Sequence, residues 1–310
     1  MHAIQLQGLA KDYQVGFWKK QLRPALRPLT LAVERGETFG FLGPNGAGKT
    51  TTLKLLMGII FPTAGSASIL GCHFHDPGIK KRIGFLPEQP YFYDYLSAPE
   101  LLDYFARLSG APQSGRKQTI DRVLDRVGLG DVGSKQLRKF SKGMLQRVGI
   151  AQAIIHDPEI IFLDEPMSGL DPLGRHEVRE LIQSLKDEGK TIFFSTHILS
   201  DAEALCDRVA VIHKGELRGI GVVNDLRANV AGKSEIIWEG ARALAAVSAS
   251  VTGQHVTGEA VRATVSAEDL DAVLERLRQQ RARLISVTPL QGTLEDYFLA
   301  KTSEQESIRT

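Results

Sequence analysis

Over its first forty residues the chain alternates apolar and polar positions or gathers apolar residues in short blocks, which is the spacing of strands. IQLQGL (4–9), LRPLTLAV (26–33) and ETFGFL (37–42) are read as strands, and GSASILG (65–71) and KRIGFLPE (81–88) as two more. From Pro99 to Leu129 the period turns helical, in PELLDYFARL and then RKQTIDRVLDRVGL. EIIFLDE (159–165) is an unbroken apolar run ending in two acids, as in a strand buried on both faces of a parallel sheet. Leu173–Asp187 carries Val178, Leu181, Ile182 and Leu185 on one helical face. TIFF (191–194) is another strand, and VAVIHKGELRGIG (209–221) is a hairpin turning at Lys214-Gly215.

A boundary falls near Asn224 to Gly232, giving domains of 1–225 and 226–310. Beyond it, SEIIWEG is a strand, Ala241–Val247 a short helix, and HVTGEAVRATV one or two strands. Ser266 caps a helix striped by Leu270, Val273, Leu274 and Leu277, with Asp269 near the capping-box position. LISVTPL is a strand and TLEDYFLAKT a final helix. The order β-α-β-β-α-β suggests a small ferredoxin-like α+β module.

Composition adds three constraints. At 310 residues with a hydrophobic fraction of 43%, the chain fills two cored domains. Lys+Arg at 38 against Asp+Glu at 36 exerts no global pull on nucleic acid. The two cysteines, Cys72 and Cys206, make no disulfide framework and suit a reducing compartment. No apolar run approaches the ~18 residues of a membrane span, and MHAIQLQGLAKDY lacks a signal-peptide pattern. A transport path is not expected from this chain alone.

The chemistry starts at GPNGAGKTT, which places Gly43, Pro44, Asn45, Gly46, Ala47, Gly48, Lys49, Thr50 and Thr51 between a strand and a helix. It contains the phosphate-loop pattern G-x-x-x-x-G-K-[ST]. The glycines let backbone N–H groups turn inward around phosphate oxygens, and the helix N-terminus adds donors and a dipole. Lys49 is expected to reach the β- and γ-phosphates of a nucleoside triphosphate, and the Thr50 hydroxyl to ligate Mg²⁺. Acids at the carboxyl end of EIIFLDE project into the crevice where such sheets bind ligands. Asp164 is expected to hold Mg²⁺ through its water shell and Glu165 to polarise the attacking water. In FSKGMLQR, Ser141 caps a helix running to Ile155. Lys142 opposes that helix's dipole unless an anion docks there. Two readings stay open: a second phosphate surface of Ser141 and the Gly143 N–H, or an ordinary capped helix.

The ordered set GPNGAGKTT, FSKGMLQR, IIFLDEP, SGLD and STH resembles the ATPase subunit of ABC transporters over about residues 1–225. The resemblance implies an α/β P-loop NTPase with a helical subdomain at about 96–150. It implies ATP and Mg²⁺ as ligands, and ATP hydrolysis by a homodimer joined to integral-membrane permease subunits. The subunit would sit on the cytoplasmic face of the membrane and bind no nucleic acid. FSKGM stands at the position of the usual LSGGQ, so Ser141 and Gly143 would face the γ-phosphate of ATP held by the other subunit. SGLD would cross the dimer interface with Asp171 as its acid. His197 would contact the γ-phosphate, and Tyr13 would stack on adenine. Glu88 stands where a glutamine usually touches Mg²⁺ and senses the permease, with Gln89 adjacent. A glutamate there resembles an exporter-type branch, many of whose members end in an appendix closing with a motif like LEDYF. The implied function is to drive substrate export through a separate permease. Alternatives are a ribosome- or DNA-associated ATPase of the same family and a catalytically quiet nucleotide switch. Glu165 and His197 speak against the last.

Other features allow two readings each. CHFHD (72–76) is a solvated turn or a metal site; it lacks an obvious second pair of ligands. The rings of YFYDYL (91–96) are core, or exposed anchors for a permease helix. GFWKKQLRPALRP (16–28) is a solvated hairpin tip or a basic loop near anionic lipid. The C-terminal module supports dimer packing, or serves regulation and partner contact.

Overall fold

A computed structural model of the chain describes residues 2–16, 21–228, 232–290 and 293–295. Two compact units divide it, Met1–Gly221 and Val222–Thr310.

The first unit begins with two long hairpin arms, β1 (His2–Val15) and β2 (Gln21–Glu34). Both run past the apolar cores that mark them in the sequence, because ladder bonds continue through exposed polar residues as far as the pair Val15–Gln21. The tip of the basic loop, 17–20, lies outside the described residues. The fully buried β3 (Thr38–Leu42) leads into α1 (Lys49–Leu56). β4 (Ala64–Ile69), the two-residue β5 (Cys72–His73) and β6 (Ile83–Leu86) follow. Three helices come next: α2 (Ala98–Leu108), α3 (Arg116–Arg126) and α4 (Lys142–Ile154). The chain then alternates through β7 (Ile160–Asp164), α5 (Pro172–Asp187), β8 (Thr191–Thr196) and α6 (Leu199–Leu205). It closes with the hairpin of β9 (Arg208–His213) and β10 (Glu216–Val222).

Two sheets result. β2-β1-β4-β5 is antiparallel, and β10-β9-β3-β8-β7-β6 is parallel from β9 to β6. Leu53, Leu55 and Leu56 of α1 share one core with Leu6 and Leu29 of the first sheet and Phe39, Phe162 and Phe193 of the second. A helix buried on several faces loses the polar stripe of a surface helix, which is why α1 shows no clean amphipathic period. The parallel order matters most for function. β3, β8, β7 and β6 are neighbours running the same way, so their carboxyl ends open on one edge. Ligands of such sheets bind outside that edge.

The second unit starts with α7 (Val223–Ala228) and β11 (Lys233–Glu239). α8 (Leu244–Val247), β12 (Val251–Thr257), β13 (Ala260–Ser266), α9 (Leu270–Gln279) and β14 (Arg283–Leu290) complete it. The sheet order β12-β13-β11-β14, all antiparallel, is the split β-α-β arrangement of a ferredoxin-like module. Trp238, Val261, Val265, Val273 and Leu277 form its core. Ser266 differs from expectation by one turn. It is the last residue of β13, and its Oγ accepts the Asp269 N–H at 3.1 Å in the turn before α9, whose N-cap is Asp269. The final helix expected over TLEDYFLAKT lies outside the described residues from Asp296 onward.

Candidate functional site

The phosphate loop leaves β3 at Gly43 and enters α1 at Lys49, and its glycines are required by what presses on it. A Cβ at Gly43 would lie 2.3 Å from the Ile212 carbonyl oxygen. Gly48 has φ 111°, and a Cβ there would lie 2.7 Å from the Ala25 carbonyl oxygen. The β9–β10 turn holds the loop from outside, the Gly215 N–H donating to Ala47 O at 2.9 Å. No side chain caps α1, so its first-turn N–H groups remain available to an anion.

Lys49 is buried, and its Nζ donates to Gly43 O at 2.7 Å and Pro44 O at 3.3 Å. The same Nζ lies 3.1 Å from Glu165 Oε1 in an ion pair. Glu165, one residue past β7, adopts φ 51°, a left-handed conformation that costs a glutamate of order 1–3 kcal/mol. Its N–H donates to the Ser195 carbonyl at 3.1 Å and to Ser195 Oγ at 3.2 Å, which holds that turn. The carboxylate is thereby presented to Lys49 on one side. On the other, Glu165 Oε2 lies 2.8 Å from His197 Nδ1.

Asp164 closes the buried strand at 1% exposure. Ser195 Oγ donates to Asp164 Oδ1 at 2.5 Å, and Thr50 also hydrogen-bonds the carboxylate. Burial raises the Asp164 pKa above the ordinary aspartate value. The Ser195 and Thr50 bonds and Lys49 oppose the rise, and Glu165 adds to it. Ser195 thus bridges the two acids. Sequence reading passed over it, although its place beside His197 at the end of an apolar strand was a usable signal.

A raised folded-state pKa favours folding below the unfolded value, and that advantage is lost as pH rises through the folded value. Ionised Asp164 therefore costs stability at neutral pH. Asp164→Asn is expected to melt above the wild type at pH 7 while losing hydrolysis. The gain should shrink as pH falls into the ordinary aspartate range. A melting temperature at or below wild type at pH 7, followed by circular dichroism, would contradict it.

A cavity of about 340 Å³ is lined by Asn45, Gly46, Lys49, Thr50, Thr51 and Glu88, with Glu165 also on its wall. Its oxygen donors suit a hard cation, and the buried, proton-favouring Asp164 would be relieved by one. Among the described residues no three His, Cys, Asp or Glu side chains form a metal cage. Mg²⁺ sites commonly use only one or two carboxylates together with substrate phosphates. A second cavity of about 460 Å³ shares Ala25 and Gly46 with the first and is lined by Tyr13, a partly exposed ring with Lys11 Nζ 5.4 Å from its centroid.

Ser141, Gly143 and Asp171 line a third cleft, of about 500 Å³, with no residue in common with the phosphate-loop cavity. Ser141 Oγ caps α4 by accepting the Met144 N–H at 3.2 Å, and Asp171 caps α5 by accepting the Gly174 N–H at 3.1 Å. Arg147 of α4 and Glu177 of α5, 3.6 Å apart, hold the two helices side by side. The fold therefore gathers Gly43–Thr51, Glu88, Asp164, Glu165 and His197 at one edge. It sets Tyr13 beside them and Ser141, Gly143 and Asp171 in a separate cleft.

The remaining features resolve in part. In CHFHD, Phe74 is buried, Asp76 accepts the Gly78 N–H at 2.8 Å, and the His73 and His75 rings lie 5.4 Å apart. Tyr91, Tyr93 and Tyr95 are exposed, so they are not core.

Comparison with known proteins agrees with this geometry. A family model for ABC transporters matches residues 26–168. An uncharacterised ABC transporter ATP-binding protein of Synechocystis sp. is 45% identical over 313 residues, covering 98% of this chain and 86% of that protein. The bacitracin transport ATP-binding protein of Bacillus licheniformis is 48% identical over 192 residues, 61% of this chain and 62% of that one. A solved dimeric ATP-binding cassette in a post-hydrolysis state, bound to ADP and Pi, superposes with a TM-score of 0.64 at 25% identity, over 71% of this chain and 98% of that one. With a phosphate loop, paired acids and a histidine at one sheet edge and relatives matched along nearly its whole length, the chain belongs to the ATP-binding subunits of ABC transporters and is an ABC-type ATPase.

Proposed function

We propose that two copies of this chain share their nucleotide sites head to tail, and that their ATP hydrolysis drives substrate export through separate membrane permease subunits. The observation that carries the reading is the separation of two half-sites within one chain. Lys49, Thr50 and Glu165 line one cavity, and Ser141 and Gly143 line another with no residue in common. A second copy would bring one half-site against the other. Residues 1–225 would form the ATPase domain and 226–310 an accessory domain. Export is favoured by Glu88 at the sensing position, and one relative is named for bacitracin transport. Exposed Tyr91, Tyr93 and Tyr95 suit anchorage of a permease helix. The site of action would be the cytoplasmic membrane face. No helix among the described residues is long and apolar enough to cross a membrane.

In this reading Lys49 exchanges its loop carbonyls and Glu165 for the β- and γ-phosphates, which carry more charge. Its release frees Glu165 to take the proton of an attacking water, while His197 keeps the carboxylate aimed. Thr50 and Asp164, with Glu88 beside them, would hold Mg²⁺, which when bound neutralises developing phosphate charge. The partner's Ser141 hydroxyl and Gly143 N–H would complete the cradle, and Tyr13 would stack on the base. The work is positioning and electrostatic preorganisation.

Mixing variants tests the sharing. Lys49→Ala and Ser141→Arg subunits are each expected to be inactive. Their mixture contains dimers in which an intact Lys49 meets an intact Ser141, so phosphate release is expected to return. Crosslinking checks the geometry independently of turnover. A chain carrying Asn45→Cys and Ser141→Cys, with Cys72→Ser, should form disulfide-linked dimers, and more readily with ATP. Crosslinks found solely within single chains would refute the shared site.

A further inference from the structure

We infer, on the reading of His197 just proposed, that Asp201 and Arg179 are positioning residues for hydrolysis: their ion pair fixes α6, and α6 fixes the backbone that aims His197 at Glu165. Neither side chain lines the phosphate-loop cavity or the Ser141 cleft. Their influence on the reaction therefore runs through the fold. His197 stands between a fixed strand and a weak helix. Thr196 ends β8 opposite Leu42 of β3, and its carbonyl accepts the Gly43 N–H at 3.3 Å. The residue before His197 is thus registered on the phosphate loop. Beyond His197, the Ile198 N–H donates to Thr196 Oγ1 at 3.0 Å, and Ile198 is the N-cap of α6, with no side chain capping the helix. α6 has seven residues. A helix that short is not stable alone, so its place is set by what it packs on. Ala202 and Leu205 bury its apolar side. Such burial is non-directional, so the setting of the helix depends on its polar ties.

Two polar ties join this segment to α5. At the far end, Lys186 Nζ donates to Leu205 O at 3.4 Å and pairs with the exposed Asp207 at 2.7 Å. At the His197 end, Arg179 Nη2 donates to Asp201 Oδ1 at 3.0 Å, and the Asp201 side chain is 1% exposed. Asp201 sits in the first turn of α6, where its charge also complements the helix dipole. An exposed pair contributes little. A buried carboxylate that loses its counter-charge is costly, so the Asp201 tie is the one that constrains the helix. It fastens the start of α6 to α5, the helix that Asp171 caps.

The pair is held by one prong. Arg179 Nε and Asp201 Oδ2 are both buried, and neither has a hydrogen-bond partner among the described residues. A guanidinium facing a carboxylate commonly closes a second, parallel bond. The open prong leaves the pair a tighter arrangement, and the short helix that bears Asp201 is the element able to adopt it. His197, one helical turn before Asp201, would follow that adjustment, and its Nδ1 already lies 2.8 Å from Glu165 Oε2.

The test is phosphate release by the full chain, read as kcat and KM, beside calorimetric ADP binding and a melting curve. Asp201→Asn keeps the shape and is expected to lower kcat about tenfold or more, since small misplacements far from the chemistry can cost about 10²-fold. KM and ADP affinity should stay within about twofold, because the phosphate loop is untouched. Arg179→Lys keeps the charge without the fork and should fall between. Lys186→Met cuts the other tie and should keep the wild-type kcat. The deciding variant adds Asp201→Asn to His197→Ala, with slow rates read in single turnover. It should be no slower than His197→Ala alone, because the positioned group is gone. Wild-type kcat in both Asp201→Asn and Arg179→Lys overturns the inference. So does a combined variant whose two losses multiply, which would mark general damage to the fold. If Asp201→Asn does not fold, Arg179→Lys with and without His197→Ala decides in the same way. Should His197→Ala turn over like the wild type, the reading of His197 fails; should it be slow while Asp201→Asn is not, only the positioning role fails.

Discussion

Lys49→Ala is expected to abolish hydrolysis and to weaken ATP binding by on the order of 10²-fold or more, since a cation shared by two phosphates makes charge-assisted bonds of about 1.5–3 kcal/mol each. Among the described residues, Lys49 is the only side-chain cation of the phosphate-loop cavity. Its burial also makes it part of the fold, because its Nζ ties Gly43 O and Pro44 O to Glu165. Removing it leaves the Glu165 carboxylate buried without that counter-charge, so a modest loss of stability should accompany the loss of binding. Lys49→Arg separates the two effects. It keeps the charge but spreads it over a planar fork, so it should recover stability better than turnover. Nucleotide titration and phosphate release, read beside a melting curve, check both. Near-normal turnover in Lys49→Ala would remove the phosphate-loop argument.

Glu165→Gln keeps the shape and removes the basic oxygen. Hydrolysis is expected to fall by roughly 10² or more while ATP still binds. The ATP-bound dimer should then accumulate, visible by size-exclusion chromatography with ATP and Mg²⁺. The carboxylate faces Lys49 at 3.1 Å and His197 at 2.8 Å, so the glutamine also releases Lys49 from an ion pair and should let it reach phosphate more easily. Tighter ATP binding together with slower turnover is a combination that simple damage to the fold would not produce. Wild-type hydrolysis, or a strictly monomeric protein under those conditions, would count against Glu165 as the base.

These two variants report on one coupled arrangement. Ser195 Oγ accepts the Glu165 N–H and donates to Asp164, so one hydroxyl orients both acids. The left-handed Glu165 backbone is held by that bridge, and the strain is located at the residue proposed to aim the attacking water.

The amino-acid sequence by itself determined what depends on contiguous residues. The phosphate loop is nine consecutive residues whose work is done by their own backbone, so its motif is legible without a fold. Strand and helix positions followed from period, as in α5 with Val178, Leu181, Ile182 and Leu185 buried. The β9–β10 turn at Lys214-Gly215 followed from turn chemistry. The pattern of the last third likewise predicted a ferredoxin-like order, and β12-β13-β11-β14 is that order.

Tertiary structure decided everything that depends on which strands become neighbours. Parallel strands are joined by long crossovers, so their order is settled by packing. Only the order β3-β8-β7 brings the phosphate loop, Ser195, His197 and the two acids to one edge. The Glu165 conformation and the raised Asp164 pKa follow from that assembly. Packing also sets Ser141 and Asp171, which cap α4 and α5, in a cleft that shares no lining residue with the phosphate-loop cavity. Residue pattern encodes how each segment buries its apolar face. The meeting of segments far apart in sequence is set by the shared core those faces build, and the site chemistry sits at that meeting.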